Sequence, residues 1–191
     1  LPIPFACISY DMNTGSEYVA RGGNLAAAIR ASMSIPGVFK PVKYQDMVLV
    51  DGGVYNNFPV DVAKDMGADI VIGVDLTDGL RTNGDIENMV LIFEQLTTFL
   101  GRDNYNRNVA LCDYYIHPEV APYTAASFNT EAVDSLVMRG QREADRHREG
   151  LQALRKEIGL PEGYRPPKRD RHYSNQTLLK IGGINLKGFS R

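Results

Sequence analysis

Apolar and polar positions along the 191 residues alternate between short strand-like runs and longer stretches of helical spacing. Residues 3–11 and 17–21 read as two strands joined by a hairpin-like turn at Asn13-Thr-Gly15. Asn24 is placed to cap a helix over residues 25–34, where Ala26, Ala27 and Ala28 favour helix and Pro36-Gly37 closes it. A second hairpin is expected from residues 42–44 and 47–50 around Gln45-Asp46. A helix follows over 59–66, with proline acceptable in its first turn and Gly67 to end it. The near-continuous apolar run Ala68-Asp-Ile-Val-Ile-Gly-Val-Asp75 predicts a strand covered on both faces. Strand, helix and strand at this spacing predict a βαβ unit, hence a sheet with helical cover.

Residues 85–101 read as a helix with Met89, Ile92, Phe93, Leu96, Phe99 and Leu100 on one side, a face widened by Val90 and Leu91. That apolar side is expected to be core, with Val90 and Leu91 the positions able to touch acyl chains. A strand is expected at 114–117. The longest helix is expected over 130–158, its buried edge traced by Val133, Leu136, Val137, Gly140, Ala144, Leu151, Leu154 and Ile158 and its end set by Gly159 and Pro161. Residues 161–176, with Pro161, Pro166, Pro167 and a basic cluster at 168–172, read as an exposed linker. A fresh strand-like run occupies 178–188, in a final segment over 177–191.

The pattern changes meaning at Asp51. An apolar run delivers this carboxylate straight into Gly52-Gly53, so a charged oxygen leaves a strand where two glycines allow close backbone approach. That is where an α/β enzyme holds a catalytic acid or base; the ordinary alternative is a turn-forming aspartate. Asn56 and Asn57 are placed either to bond the Asp51 loop or a substrate, or to cap the helix that follows. Pro36 and Gly37 are expected to shape a pocket mouth. Ser32 and Ser34 are expected to close their helix, and Asp75 and Asp78 to hold turns.

Composition narrows the classes further. A formal net charge of −2, from 21 basic and 23 acidic residues, lacks the basic field of a nucleic-acid binder. Cys7 and Cys112 each sit in an apolar run and read as free thiols. With three histidines and no paired ligand spacing, a metal site is not expected. No apolar run approaches the roughly 20 residues of a membrane-spanning helix. The opening residues read as an interior strand, so a missing signal peptide says little about targeting.

Three ordered blocks resemble the patatin-like phospholipase family: Pro4-Phe-Ala-Cys-Ile-Ser-Tyr-Asp-Met-Asn-Thr-Gly15, Arg30-Ala-Ser-Met-Ser-Ile-Pro-Gly-Val-Phe-Lys-Pro41 and Val50-Asp-Gly-Gly-Val-Tyr-Asn-Asn-Phe-Pro-Val60. With residues 67–74 they cover the first 75 residues densely. The resemblance implies a three-layer α/β sandwich around a mixed, mostly parallel sheet, incomplete in this chain. It implies a bacterial lipid acyl hydrolase with a Ser-Asp dyad and no cofactor, in which Asp51 is the base. The family's Gly-x-Ser-x-Gly nucleophile is absent here; Gly188-Phe-Ser-Arg191 holds half of it on the wrong side of Asp51. Residues 1–160 therefore resemble the C-terminal portion of a patatin domain, expected inactive without its first half.

The implied partners are a phospholipid or other fatty-acyl ester, a membrane surface, and the missing N-terminal half of the domain. Self-association through an exposed sheet edge is a further expectation. The 178–188 run resembles the opening strand of a POTRA-type module, which would link the domain to an outer-membrane barrel and the cell envelope. Without that module the location is cytoplasmic or membrane-peripheral. The rival readings are a non-catalytic lipid-binding or interaction module on the same fold, and phosphoryl transfer on Asp51. The second is disfavoured because no acidic neighbour follows two residues on.

Overall fold

The computed structural model describes residues 3–77, 79, 89–124, 127, 129–161, 163 and 164. The expected helix start at 85–88, Asp78, the side chain of Val90, all but three residues of the 161–176 linker, the POTRA-like run and Ser190 lie outside the described residues. The chain falls into two compact units, Leu1–Glu149 and Gly150–Arg191.

The first unit is mixed α/β. Strands β1 (Cys7–Asp11) and β2 (Ser16–Ala20) form an antiparallel hairpin. Asp11 organises its turn by accepting from Asn13 N–H at 3.1 Å and Thr14 Oγ1 at 2.8 Å, and also accepts from Val48 N–H at 3.0 Å. Gly15 takes φ +68°, a conformation suited to glycine. Helix α1 (Leu25–Ser32) starts where Asn24 Oδ1 accepts from Ala27 N–H at 3.1 Å. Beyond its end, Ser34 Oγ donates to Arg30 O at 2.7 Å. Strands β3 (Val42–Tyr44) and β4 (Met47–Asp51) form the second hairpin, with Gln45 at φ +52° in the turn.

These strands form one antiparallel sheet in the order β2-β1-β4-β3. Cys7, Ile8, Leu49, Val50 and, from α1, Ala31 are buried in this part of the molecule. A three-residue 3-10 turn (Gly52–Val54) follows β4, and α2 (Val60–Asp65) comes next.

The expected βαβ unit is not what forms. β4 is bonded to β1 on one side and β3 on the other, which leaves no edge for the strand after α2. That strand, β5 (Ile72–Val74), pairs instead with β6 (Tyr114–Ile116), in parallel. The link between them runs through α3 (Met89–Leu100) and α4 (Arg102–Leu111), so the parallel crossover falls one element later than the sequence spacing suggested. In the described residues the larger sheet is thus antiparallel and only the two-stranded pair is parallel.

Nor is β5 covered on both faces: Gly73 is buried while Ile72 and Val74 are exposed. Gly73 has no room for a side chain, since a Cβ there would lie 2.3 Å from Phe58 Cζ and 2.8 Å from Cys112 Sγ. Phe58 forms a core with Val60 and Val71, supported by Tyr105, Val109 and Cys112. Burying a ring of this kind is worth about 2–3 kcal/mol. Both cysteines are free, Cys7 buried and Cys112 half-buried.

Two helix expectations also change. The side of α3 expected to be core is largely exposed at Ile92, Leu96, Phe99 and Leu100, while Phe93 and Thr97 line a cavity. The long helix is two, α5 (Thr130–Arg146) and α6 (Arg148–Glu157), broken at His147. The His147 ring sits against Tyr114 Oη at 3.0 Å and Glu143 Oε1 at 3.2 Å. Ala132 is the buried residue of α5, whereas Val133 and Val137 are exposed. In the second unit the remainder of α6 ends at Glu157, and Gly159 follows at φ +70°.

α4 is polar along most of its length, and its packing explains why. Asn108, fully buried, accepts the Asp61 N–H at 2.6 Å and so caps α2 from 47 residues away. Its Nδ2 donates to Asn56 Oδ1 at 3.3 Å. The Asn56 amide then donates to Glu17 Oε1 at 2.8 Å and Asp61 Oδ1 at 3.1 Å. Two carboxylates therefore share one amide. Burial raises the Glu17 pKa, and the Asp61 charge adds to the rise against the pull of Asn56. Because folding raises this acid's pKa, its stabilising contribution is present below about 4.5, the ordinary glutamate value, and is lost as pH climbs through the folded value. Glu17→Gln keeps the acceptor for Asn56 and removes the charge. It should raise stability at pH 7 and flatten the loss above pH 4.5, as read by urea denaturation across pH.

Candidate active site

The site is built where β4 leaves its sheet. The Asp51 N–H turns away from β1 and donates to Ser34 O at 3.0 Å, tying the strand end to the loop after α1. Gly52 is buried and lies against β1 so closely that a Cβ would stand 2.6 Å from both the carbonyl carbon and oxygen of Ile8. Gly53 is crowded by side chains instead: a Cβ there would meet Asn57 Oδ1 at 2.7 Å and Asp51 Oδ1 at 3.1 Å. Between them the Asp51 carboxylate folds back and accepts the Gly53 N–H at 2.8 Å on Oδ1, starting the 3-10 turn.

Above this turn opens a cavity of about 720 Å³. Asp51, Gly53, Asn57 and Pro36 line it, together with apolar side chains from four parts of the first unit: Ile35, Val74, Leu76, Phe93 and Leu136. Arg139 and Glu119 line it as well. The Arg139 guanidinium is spent on the loop, donating to the carbonyls of Glu119 (3.2 Å) and Ala121 and lying over the Tyr123 ring. Among the described residues no cation pairs with Asp51, and Gly53 N–H is its one hydrogen bond. Burial therefore dominates and pushes the Asp51 pKa up, only partly offset by Gly53.

Asp75, at the exit of β5, has the opposite setting. It is 1% exposed and accepts from Tyr115 Oη at 2.5 Å, Tyr105 Oη at 2.6 Å, Thr77 N–H at 2.9 Å and Thr77 Oγ1 at 3.1 Å. Burial pushes its pKa up, but the tyrosine and threonine donors more than offset it and hold the carboxyl below the ordinary range.

The structure thus brings Asp51, Gly53, Asn57 and Pro36 to one cavity, with Gly52 beneath. Asn56 points elsewhere, into the network with Glu17, Asp61 and Asn108. Gly37, at φ +85°, is exposed in the loop beyond Pro36. Neither Asn56 nor Asn57 caps α2; Asn108 supplies that bond. The described residues hold no group of three or more metal-ligating side chains. Sequence reading missed Asn108 because α4 carries no apolar stripe, and missed Ser9 because its importance lies in the register that sets it opposite Asp51.

The patatin-like phospholipase family model matches residues 5–64, the stretch that contains the four-stranded sheet, Asp51 and most of α2. An NTE family protein of Mycobacterium tuberculosis is 47% identical over 62 residues, 32% of this chain and 11% of that protein. The mouse patatin-like phospholipase domain-containing protein 7 is 38% identical over 88 residues, 45% of this chain and 6% of its own length. A patatin-like phospholipase domain-containing protein of Caenorhabditis elegans is 38% identical over 104 residues, 51% of this chain and 8% of its own. Over residues 5–64, then, the chain is similar to the patatin-like phospholipase family. The matched stretches take up about a tenth or less of these relatives.

Two substitutions separate the roles of this turn. Gly52→Ala forces a methyl into the Ile8 backbone, which cannot give way without opening the β1–β4 ladder. It should cost about 2–3 kcal/mol in chemical denaturation. Asp51→Asn keeps the acceptor for Gly53 and removes a charge that burial disfavours. Since folding raises the Asp51 pKa, its stabilising contribution is intact below about 3.8 and lost as pH rises through the folded value. The variant should melt above the parent at pH 7, and the gap should close in acid.

Proposed function

We propose that this chain supplies the general base of a lipid acyl hydrolase of the phospholipase A or esterase type, working as one half of a Ser-Asp dyad. The observation that carries this reading is the Asp51 carboxylate: half-buried, lining a largely apolar cavity, raised in pKa, and bonded only to its own turn. A carboxylate at its ordinary pKa is a weak base toward a hydroxyl, and removal from water narrows that gap. The similarity of residues 5–64 to the patatin-like phospholipase family supports ester hydrolysis as the chemistry, and the cavity walls suit a fatty-acyl chain.

In the proposed cycle Asp51 takes the proton from a serine hydroxyl as that oxygen bonds to the ester carbonyl carbon. The tetrahedral intermediate collapses, the alcohol leaves with the proton returned by Asp51, and an acyl-serine remains. Asp51 then takes a proton from water as the water oxygen attacks the acyl carbon. The serine leaves with that proton and the fatty acid is released. The serine belongs to a Gly-x-Ser-x-Gly elbow that this sequence does not contain, and the oxyanion donors come with it. The chain alone is then inactive. In the complete domain, strands from that other half make up the three-layer, mostly parallel sheet, and the substrate arrives from a phospholipid membrane surface.

The absence of the serine motif favours one other reading, a lipid-binding module without catalysis. The two part on one measurement. A polypeptide that joins this chain to its nucleophile segment should release nitrophenol from a p-nitrophenyl acyl ester, and Asp51→Ala should lower turnover at least ~100-fold. Equal turnover by parent and variant removes Asp51 from the chemistry. No turnover by either, with fatty acid bound in the cavity, establishes the binding module.

A further inference from the structure

Ser9 Oγ is the one buried side-chain polar atom among the described residues that has no hydrogen-bond partner, and the residue is 1% exposed. Buried hydroxyls are nearly always paired, so an orphan needs an explanation. Its position in the sheet supplies one. Ser9 faces Asp51 across the β1–β4 ladder.

The ladder bonds define what kind of pair this is. Met12 N–H donates to Val48 O at 2.9 Å, so Met12 and Val48 are a hydrogen-bonded pair. Alternation along an antiparallel ladder makes Ser9 and Asp51, three steps away, a non-hydrogen-bonded pair. The Asp51 N–H agrees, since it turns outward to Ser34 O. In such a pair both side chains leave the same face, from Cα atoms about 4.5 Å apart. A hydroxyl and a carboxylate so placed are direct cross-strand neighbours.

We infer that Ser9 is a positioning residue for Asp51: its hydroxyl is the donor that turns onto the carboxylate while Asp51 is charged and releases it once Asp51 takes a proton. This rests on the reading of Asp51 as a base and adds the group that steadies it. Gly53 N–H already holds Oδ1, so a second donor from β1 would fix the carboxylate plane while one lone pair stays turned to the cavity. Three charged side chains of the neighbouring elements are bonded elsewhere. Arg30 is bonded to Ser34 Oγ and Lys40 O, Asp11 to the hairpin turn and Val48, and Arg139 to the Glu119 and Ala121 carbonyls. Glu119 and Tyr123 line the cavity without a bond to Asp51. Ser9 is not itself a nucleophile, because no ester carbonyl reaches a side chain sealed from solvent.

The test is a carbon-detected NMR titration of the Asp51 carboxyl in the 191-residue chain, its Ser9→Ala variant and its Ser9→Thr variant, with Asp11 as internal reference. Ser9→Ala deletes a hydroxyl that the resting fold leaves unpaired, so it should stay folded. Its Asp51 midpoint should rise by about one pH unit, a tenfold gain in proton affinity, with Asp11 unmoved. Ser9→Thr keeps the hydroxyl and should titrate with the parent. An Asp51 midpoint unchanged in Ser9→Ala overturns the inference, as does an equal rise in both variants, which would trace the shift to packing. Loss of fold in Ser9→Ala overturns it too, since the hydroxyl would then serve the resting structure. Each of these leaves the hydrolase reading standing, whereas hydrolysis by an Asp51→Ala enzyme removes that reading whatever Ser9 does.

Discussion

The site depends on a close crossing of two backbones. β4 must leave its sheet immediately after Asp51, and it does so by laying Gly52 against the peptide of Ile8, where no side chain fits. Any larger residue would push the strand end outward and carry the aspartate with it. The crossing fixes where Asp51 sits, and the turn at Gly53 fixes which way its carboxylate faces. The Asp51 N–H, lost to the ladder at this point, is recovered by Ser34 O, so the departure leaves no backbone donor unpaired.

What holds the surroundings in place is largely polar. α2 begins directly after the site turn, and its first exposed backbone donor is met by a buried asparagine from α4. The same asparagine bonds Asn56, which reaches β2 through Glu17. One connected set of amides and carboxylates thus clamps the loop after Asp51 to three elements at once. Such a network is specific because each member is left costly if its partner moves. The apolar cluster around Phe58 fills the space beside it, and Gly73 lets β5 approach that ring.

Much of the four-stranded sheet was legible. Alternation, Asn24 as a cap and the Gln45-Asp46 turn give the two hairpins and α1 to within two residues, save that β1 starts at Cys7 rather than residue 3, because each is set by neighbours within ten positions. Pairing was not legible. Nothing local states that β4 is saturated by β1 and β3, so the next strand looked like its parallel neighbour when it belongs with β6. α4 escaped notice because the periodicity that reveals a helix is apolar, and this helix packs through Asn104 and Asn108. The break at His147 escaped for a related reason: the helical spacing continues through it, and the ring's bonds to Tyr114 and Glu143 are tertiary. At the site, Asp51, Gly53, Asn57 and Pro36 could be named from the motif. The separate placement of Asn56, and Ser9 beneath the aspartate, depend on register.

The two aspartates at strand exits show what separates a well-satisfied carboxylate from an under-satisfied one. Both lie where a strand ends beside the same cavity, and burial pushes both toward the neutral form. Asp75 is answered by two phenols, a hydroxyl and an amide N–H, and its charge is held more firmly than in water. A carboxylate so well satisfied has little reason to take a proton. Asp51 has one amide and a cavity, so burial is only partly offset and its charge is held less firmly than in water. Environments that drive two like groups apart in this way assign their roles. The under-satisfied member weakens the fold at neutral pH. The raised proton affinity of Asp51 therefore comes from the donors that the turn withholds from it.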